Sequence, residues 1–266
     1  KMKNLKEKIN IKKSKLDVSK TQEFFYEIIN SDALLNTEEK LLLFTLIYGL
    51  KPNKVLEIGS YKGGSAKIIC KALDANNFGE LTLIDINPQI SDKTWKRIKH
   101  RTKILTGNSD YIIKKFEIGE NEKFDFIFID GDHNYESVLK DTYNSINILN
   151  NNGYILYHDC YNKEVERAID NIINFTNLKD CGILSKEINK EYPGQLWAGF
   201  RLLRKTDYNL SLFKIIKYKI EGKRNSKNIL WKPLVITKDI VWKLTNLVPK
   251  KEISKESNKP KKQPDE

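Results

Sequence analysis

The sequence has few of the features that mark secreted or membrane-spanning chains. Its 266 residues include only three cysteines, Cys70, Cys160 and Cys181, which are too few and too far apart for a disulfide framework and include no Cys-x-x-Cys pair. The longest largely apolar stretch, Leu41 to Leu50, has ten residues, about half of the roughly 20 that a spanning helix needs. The first twenty residues scatter eight lysines among isolated apolar residues, whereas a signal peptide has a continuous apolar core. We therefore expect a cytoplasmic protein in a reducing compartment.

The net charge of +12 is concentrated at the two ends of the chain. Residues 1–20 hold 8 basic and 2 acidic side chains, residues 21–204 hold 23 and 26, and residues 205–266 hold 16 and 7. We expect four parts: a basic arm (1–20), N-terminal helices that act as a substrate lid (21–50), a central domain that carries the chemistry (51–205) and a basic amphipathic tail (206–266). A basic tail favours an anionic partner such as a membrane surface, although a merely solvated tail explains the charge equally well.

The middle of the chain alternates between strand and helix patterns, which predicts an α/β fold with a parallel sheet and helices on both faces. Phe124–Ile129 is nearly all apolar, as expected of a central strand that is covered on both faces. A helix is expected up to Leu50, with Thr37 as N-cap and Pro52 after its end. Seven strands are expected: Lys54–Ile58, Leu81–Asp85, Lys103–Leu105, Phe124–Asp130, Tyr154–His158, Gly182–Leu184 and Leu196–Leu203.

A glycine-rich turn follows the first strand. Gly59, Gly63 and Gly64 would let backbone N–H groups approach a ligand, and the helix that follows favours an anion at its N-terminus. The spacing is neither the Gly-x-Gly-x-x-Gly of nicotinamide enzymes nor a P-loop. Asp85 ends the second strand, twenty-six residues after Gly59, where a carboxylate can accept hydrogen bonds from both ribose hydroxyls.

Acidic and imidazole side chains follow two later strands. Asp130 ends the fourth strand, and His158 and Asp159 end the fifth. Neighbouring strand ends would bring the three together, and two carboxylates with an imidazole suit Mg²⁺ or Mn²⁺. Each residue alone also has an ordinary structural explanation, such as a hydrogen-bonded core histidine.

Four segments in this order resemble the class I S-adenosylmethionine-dependent methyltransferases: VLEIGSYKGGS, LIDI, FIDGDHNYESVLKD and NGYILYHD. More narrowly, they look like the branch of metal-assisted O-methyltransferases, cephalosporin-hydroxylase-like proteins and macrolide sugar O-methyltransferases. The resemblance covers residues 50–204 and implies a Rossmann-like seven-stranded methyltransferase sheet. It implies that Glu57, Gly59, Ser60, Gly63 and Gly64 hold the methionine part of S-adenosylmethionine, that Asp85 holds the ribose, and that Asn108, Ser109 and Asp110 lie beside the adenine. Asp130 also belongs to this predicted cofactor site.

The same resemblance implies roles in catalysis and metal binding. Asp130 and Asp159 match acidic metal ligands of the family, while His158 occupies a position that is usually acidic. We predict Asp130, His158 and Asp159 as ligands of Mg²⁺ or Mn²⁺, and Asp130, His133 and His158 as catalytic residues. Either histidine would act as general base if no ion is bound.

The acceptor of the methyl group is expected to be a hydroxyl of a small molecule or a glycan, with a sugar favoured by the resemblance. Nucleic acid is disfavoured, because Gly-Asp-His follows the fourth strand where an Asn/Asp-Pro-Pro-aromatic turn serves base methylation. The alternative is a non-catalytic or regulatory module that binds a membrane or RNA through its tail. Apolar stripes in the tail, with Phe213, Trp231 and Trp242 beside lysines, fit peripheral membrane contact at the inner face, or helices that pack on the sheet or form a homodimer.

Overall fold

The computed structural model describes residues 18–116, 122–185 and 197–206. The chain divides into two units, 1–216 and 217–266, and every described residue belongs to the first. Most of the predicted basic arm and all of the predicted tail beyond Thr206 lie outside the described residues, so the four expected parts remain predictions. Helices and strands follow one another as α1 (Val18–Ile29), α2 (Thr37–Leu50), β1 (Lys54–Ile58), α3 (Gly64–Asn76), β2 (Glu80–Asp85), α4 (Asp92–Ile98), β3 (Thr102–Thr106), α5 (Ser109–Lys115), β4 (Phe124–Ile129), α6 (Tyr135–Ile148), β5 (Leu149–Tyr157), α7 (Lys163–Phe175), β6 (Leu178–Ile183) and β7 (Arg201–Lys205).

The strands form one seven-stranded sheet in the order β3-β2-β1-β4-β5-β7-β6. Strands β1 to β5 pair in parallel, whereas β7 runs antiparallel to both β5 and β6. The strand order reverses between β1 and β4, which is where open parallel sheets bind ligands beyond the carboxyl ends of their strands. The predicted α/β, Rossmann-like seven-stranded architecture is confirmed, and β4 is its central strand.

Helices cover both faces of the sheet, and alternate residues of β4 point to the two layers. Phe126 and Phe128 pack in the cluster that includes α2 and α3, and Ile127 and Ile129 pack in the cluster that includes α6 and α7. All four are buried. Alternate side chains of a strand point to opposite faces, so a strand covered on both faces is apolar throughout.

Strand boundaries differ from the prediction in the polar and late segments. β5 begins at Leu149 rather than at Tyr154, because Leu149 already pairs with Phe124 of β4, and residues 150–152, which resemble a turn in sequence, lie at the register shift between this pair and Phe126–Tyr154. β6 begins at Leu178 rather than at Gly182. β7 begins only at Arg201, because Gly199 has a φ of 97° and cannot continue an extended strand.

Helix α2 is capped one residue earlier than expected, by Asn36 and not by Thr37. The Asn36 side chain accepts a hydrogen bond from Glu39 N (2.8 Å), and the Glu39 carboxylate accepts one from Asn36 N (3.0 Å). This reciprocal pair is a capping box, which satisfies two N–H groups at the start of the helix. Among the described residues, no helix combines the length and the apolar character needed to cross a membrane.

Candidate active site

Parallel pairing aligns the ends of four strands at one edge of the sheet. Gly59 N donates to Ile84 O (2.9 Å), Asp130 N donates to Ile58 O (2.9 Å), and His158 N donates to Ile129 O (3.1 Å). The sheet ladder thus continues for one residue beyond β1, β4 and β5. The residues after these strands therefore lie side by side, as the sequence predicted.

The glycine-rich turn after β1 depends on glycine at two positions. Gly59 has a φ of 89°, and a Cβ atom there would lie 2.2 Å from the carbonyl oxygen of Asp130. Gly64, the first residue of α3, faces Ala33 in the turn between α1 and α2, and a Cβ atom would lie 2.4 Å from the Ala33 Cα. The N-cap of α3 is Gly63, which has no side chain to cap the helix. Its free N-terminus suits an anionic group such as a carboxylate.

Asp85 holds this turn in place. Its Oδ2 accepts hydrogen bonds from Ser60 N (2.7 Å), Ser60 Oγ (3.1 Å) and Tyr61 N (2.7 Å), and its Oδ1 accepts one from Asn87 N (2.8 Å). Burial acts to raise the pKa of Asp85, but these backbone N–H groups outweigh it and lower the pKa below its usual range. Asp85 is therefore a carboxylate near neutral pH, and its ribose-binding role stays a prediction.

Glu57 lies beneath the turn and is completely buried. Ser65 Oγ donates a hydrogen bond to its Oε1, while its Oε2 has no partner among the described residues. Burial is the main cause that raises the pKa of Glu57 to about 8, and the nearby Asp130 and Asp85 carboxylates add to it. Glu57 is thus a neutral acid at pH 7.

The predicted adenine-side residues belong to the start of α5. Asn108 caps that helix by accepting a hydrogen bond from Asp110 N (2.9 Å), and Ser109 Oγ donates to Asp141 Oδ1 (2.6 Å). Asp141 is a buried acid of α6 that the sequence did not single out. Burial raises its pKa to about 6, although the Ser109 hydrogen bond opposes the shift. Asp141 of α6 is thereby connected to the start of α5.

Two carboxylates and two imidazoles converge beyond β4 and β5. Asp130, His133, His158 and Asp159 each offer a ligand atom, and these four atoms lie within 4.8 Å of one another. His158 Nδ1 lies 2.8 Å from Asp130 Oδ1 and 3.3 Å from Asp159 Oδ2. His133 Nε2 lies 2.8 Å from Asp159 Oδ2 and 4.0 Å from Asp130 Oδ1. The predicted cluster is therefore present in the structure.

Burial separates these four residues into an accessible pair and a covered pair. The side chains of Asp130 and His133 are 21% and 28% exposed, whereas those of Asp159 and His158 are 7% and 8% exposed. The side chains of the first pair are therefore partly open to solvent. The edge of the Trp197 ring lies against His133 (centroids 5.0 Å apart) and adds an aromatic wall, which the sequence did not indicate.

The predicted roles of His158 as general base and as metal ligand stay predictions, and both of its ring nitrogens face carboxylates. Its Nδ1 faces Asp130, and its Nε2 faces Glu39 Oε2 at 3.4 Å. Burial alone would lower the pKa of His158, but Asp130, Glu39 and Asp159 together raise it well above its usual value. Carboxylates at both nitrogens thus favour the protonated imidazole when no cation is bound.

Asp159 has an unusual backbone conformation and a carboxylate oxygen that accepts no hydrogen bond among the described residues. Asp159 has a φ of 52°, a backbone conformation that non-glycine residues seldom adopt. Asp159 Oδ1 is a buried atom with no hydrogen-bond partner among the described residues, and the buried His133 Nε2 lies 2.8 Å from Asp159 Oδ2. A buried, unpaired carboxylate oxygen beside a second carboxylate suits a divalent cation, so Asp130 and Asp159 fit the predicted metal.

Comparison with known proteins identifies a matching domain and similar folds. Residues 56–160 match a family model described as a methyltransferase domain. No curated protein matches the sequence. The fold is similar to the O-methyltransferase TomG from Streptomyces achromogenes in complex with SAM (16% identity, TM-score 0.53, covering 71% of this chain and 89% of that one).

Two further solved structures have the same fold. An O-methyltransferase from Bacillus cereus in complex with SAH has 16% identity and a TM-score of 0.54, covering 71% of this chain and 90% of its own. A putative O-methyltransferase from Klebsiella pneumoniae has 16% identity and a TM-score of 0.54, covering 71% and 89%. The cephalosporin-hydroxylase-like branch is not singled out by these similarities. Residues 56–160 thus match a methyltransferase domain, and they lie within a seven-stranded fold that is similar to those of solved O-methyltransferases.

Proposed function

We propose that the protein transfers the methyl group of S-adenosylmethionine to a hydroxyl group of a small molecule or glycan. One observation carries this proposal: the glycine-rich turn, Asp85 and the accessible pair Asp130 and His133 lie at the same edge of the sheet, beside the reversal of strand order. Solved O-methyltransferases of this fold, in complex with SAM or SAH, support it.

The chain's own groups account for binding of the cofactor and its orientation. The uncapped N-terminus of α3 would accept the carboxylate of the methionine part. Asp85 keeps the turn closed and leaves Oδ1 with a single donor, Asn87 N, so that oxygen can accept from a ribose hydroxyl as well. When bound, S-adenosylmethionine supplies a methyl group on a positively charged sulfur.

Asp130 and His133 would act on the acceptor. In the proposed transfer, the hydroxyl oxygen forms a bond to the methyl carbon while the sulfur–carbon bond breaks, and the hydroxyl proton passes to His133. Neutral imidazole suits this task near pH 7. Most of the rate in such an in-line displacement comes from alignment of the two reactants, so Asp130, at the centre of the edge, is expected to fix the direction of the hydroxyl.

A divalent cation is compatible with the same residues. Asp130 and Asp159 would hold it, and when bound it supplies a positive charge that favours ionisation of a coordinated hydroxyl. His158 Nδ1 lies 2.8 Å from Asp130 Oδ1 and stays the third predicted ligand of such an ion. His133 stays the predicted acceptor of the proton.

The first test removes the charge of Asp130. We expect Asp130→Asn to lower the turnover of a hydroxylated acceptor by at least about 100-fold, because alignment and charge are both lost, while the Kd for S-adenosylmethionine changes less than about threefold. The assay is formation of S-adenosylhomocysteine with a panel of sugars and phenols, in Mg²⁺, Mn²⁺ or chelator, and binding is measured by calorimetry.

Asp132→Asn is the matched control, since Asp132 is an exposed carboxylate two residues away that accepts hydrogen bonds from Asn134 and Ser137. Turnover that is unchanged in Asp130→Asn would remove Asp130 from the mechanism. Binding of S-adenosylmethionine without turnover of any acceptor would favour the alternative of a binding module.

A further inference from the structure

Glu39 of α2 is a buried carboxylate that reaches the candidate active site from outside the matched domain. It is 1% exposed, and it lies seventeen residues before the start of the methyltransferase match at residue 56. His158 Nε2 lies 3.4 Å from Glu39 Oε2. Burial of a carboxylate is costly unless hydrogen bonds and a positive charge compensate. The capping box alone therefore does not explain why this carboxylate is buried.

Hydrogen bonds fix the direction of this carboxylate from two sides. Its Oε1 accepts from Gly199 N (2.6 Å), in the segment that leads into β7. Its Oε2 accepts from Asn36 N (3.0 Å) in the capping box. The side chain is thus tied to α2 at one oxygen and to the far edge of the active site at the other, which leaves it little freedom to rotate.

The imidazole of His158 is held in turn. Glu39 lies at its Nε2, Asp130 and Asp159 lie at its Nδ1, and the Phe200 ring packs against it with centroids 5.5 Å apart. Rotation of the ring would break contacts at both nitrogens. The row Glu39, His158, Asp130 thus runs from a buried side chain of α2 to the partly exposed Asp130, where the acceptor would bind.

We propose that Glu39 is a positioning residue of this methyltransferase: by holding His158, it sets the direction of the Asp130 and Asp159 carboxylates. This inference rests on the proposed function for its effect on turnover, but not for its effect on His158. It also means that the active site is completed by a helix that precedes the methyltransferase domain.

The structural part of the proposal is tested by nuclear magnetic resonance of the histidine side chains. The chain has only three histidines, so the ring nitrogens of His100, His133 and His158 can be assigned with single substitutions. We expect Glu39→Gln to shift both ring-nitrogen resonances of His158. The resonances of His100, which pairs with Asp74 instead, should stay unchanged. Glutamine retains an oxygen that can accept from Gly199 N, which should preserve the fold.

Two controls separate positioning from helix stability. Glu38→Gln removes the neighbouring first-turn carboxylate of α2, and Asn36→Ala removes the side-chain cap. Both should leave the His158 resonances in place, although Asn36→Ala should lower the melting temperature. If Glu39→Gln lowers the melting temperature without moving the His158 signals, Glu39 is only part of a cap and the proposal is overturned. Glu39→Asp, which keeps the charge but retracts it by one methylene, gives the same readout if Glu39→Gln does not fold.

Turnover tests the functional part. Glu39→Gln should lower kcat about 10- to 100-fold, as expected when reacting groups are displaced by a fraction of an ångström to one ångström, with little change in the Kd for S-adenosylmethionine. Glu39→Asp should recover part of the loss. Altered His158 signals with an unchanged kcat would contradict the positioning role. If no acceptor is turned over by the unmodified protein, the proposed function fails, while the resonance measurement still decides how Glu39 acts on His158.

Discussion

At the scale of single residues, the site combines two carboxyl groups whose pKa values are shifted in opposite directions. Asp85 is held ionised by backbone N–H groups, whereas burial keeps Glu57 neutral at pH 7. Both lie next to the same glycine-rich turn. Two carboxylates this close would repel each other if both were charged. The neutral Glu57 therefore allows the charged Asp85 to organise the turn.

Glu57 should make stability depend on pH. Its pKa is about 8 in the folded protein and 4.5 ordinarily, so between these values the folded state binds more protons than the unfolded state. The free energy of unfolding should therefore fall with rising pH, by about 1.4 kcal/mol per unit at most. In Glu57→Gln, whose amide cannot ionise and can still accept from Ser65, this contribution should vanish. Urea unfolding at pH 5, 6.5 and 8 measures the difference.

Glu136→Gln, at an exposed position of α6, is the matched control and should retain the pH dependence of the unmodified protein. Equal slopes for the two variants would mean that Glu57 is ionised in the folded state.

Residue roles were predictable from the sequence only where they follow from the backbone. The convergence of Asp130, His158 and Asp159 follows from parallel strands alone. The covered position of His158 does not, because it depends on Glu39, which is 119 residues away in sequence. A glutamate three residues after an asparagine has a sufficient local explanation as part of a capping box, so nothing in the sequence indicated its second contact.

At the scale of helices and strands, the turn between α1 and α2 packs directly on the start of α3. Ala33 lies against Gly64, and ion pairs join Asp32 to Lys67 and Glu27 to Lys71. These exposed ion pairs contribute little by themselves. The tight backbone approach at Gly64 is therefore the feature most sensitive to substitution.

Gly64→Ala should destabilise the protein by about 1–3 kcal/mol, because the new methyl group would overlap the backbone of Ala33. Gly49→Ala is the matched control in α2: no atom lies within 4 Å of its added Cβ, and alanine should stabilise that helix by up to about 1 kcal/mol. Thermal unfolding of the two variants should thus shift in opposite directions. A stable Gly64→Ala protein would show that the turn can move away from α3.

The element order was predictable, whereas several boundaries were not. Apolar runs such as Phe124–Ile129 and the residues that end them follow from burial on two faces. The start of β5 was missed because asparagines usually mark turns, yet here Asn150 bonds Asp125 through its side chain (2.7 Å) and the chain continues along β4. The start of β7 was missed because the backbone of Gly199 is tied to Glu39, a contact that no local pattern reveals.

At the scale of the whole molecule, the charge is divided between a slightly acidic centre and basic ends. Residues 21–204 carry 23 basic and 26 acidic side chains, whereas residues 207–266 carry 15 and 7. The centre would be repelled by an anionic membrane, and the end would be attracted to it. Each basic residue near such a surface contributes about 1 kcal/mol, so the proposed peripheral contact depends on the tail.

Removal of residues 207–266 should abolish flotation with vesicles that contain anionic lipid. The cut belongs after Thr206, because Thr206 bonds Asn177 through both its backbone N–H (3.0 Å) and its hydroxyl (2.8 Å) and so belongs to the folded domain. The full chain should float with anionic vesicles, less so at high salt, and not with neutral ones. Equal recovery of both proteins in the soluble fraction would refute membrane contact through the tail.

The contact between Glu39 of α2 and His158 limits which N-terminal segments can be combined with this candidate site. A chimera that takes its first fifty residues from another protein of this fold would leave His158 without its Nε2 partner, unless the donor carries an acid at the same point. Exchange of the N-terminal helices and retention of the row Glu39, His158, Asp130 are therefore not independent choices. The N-terminal helices and the residues that Glu39 contacts would have to be exchanged together.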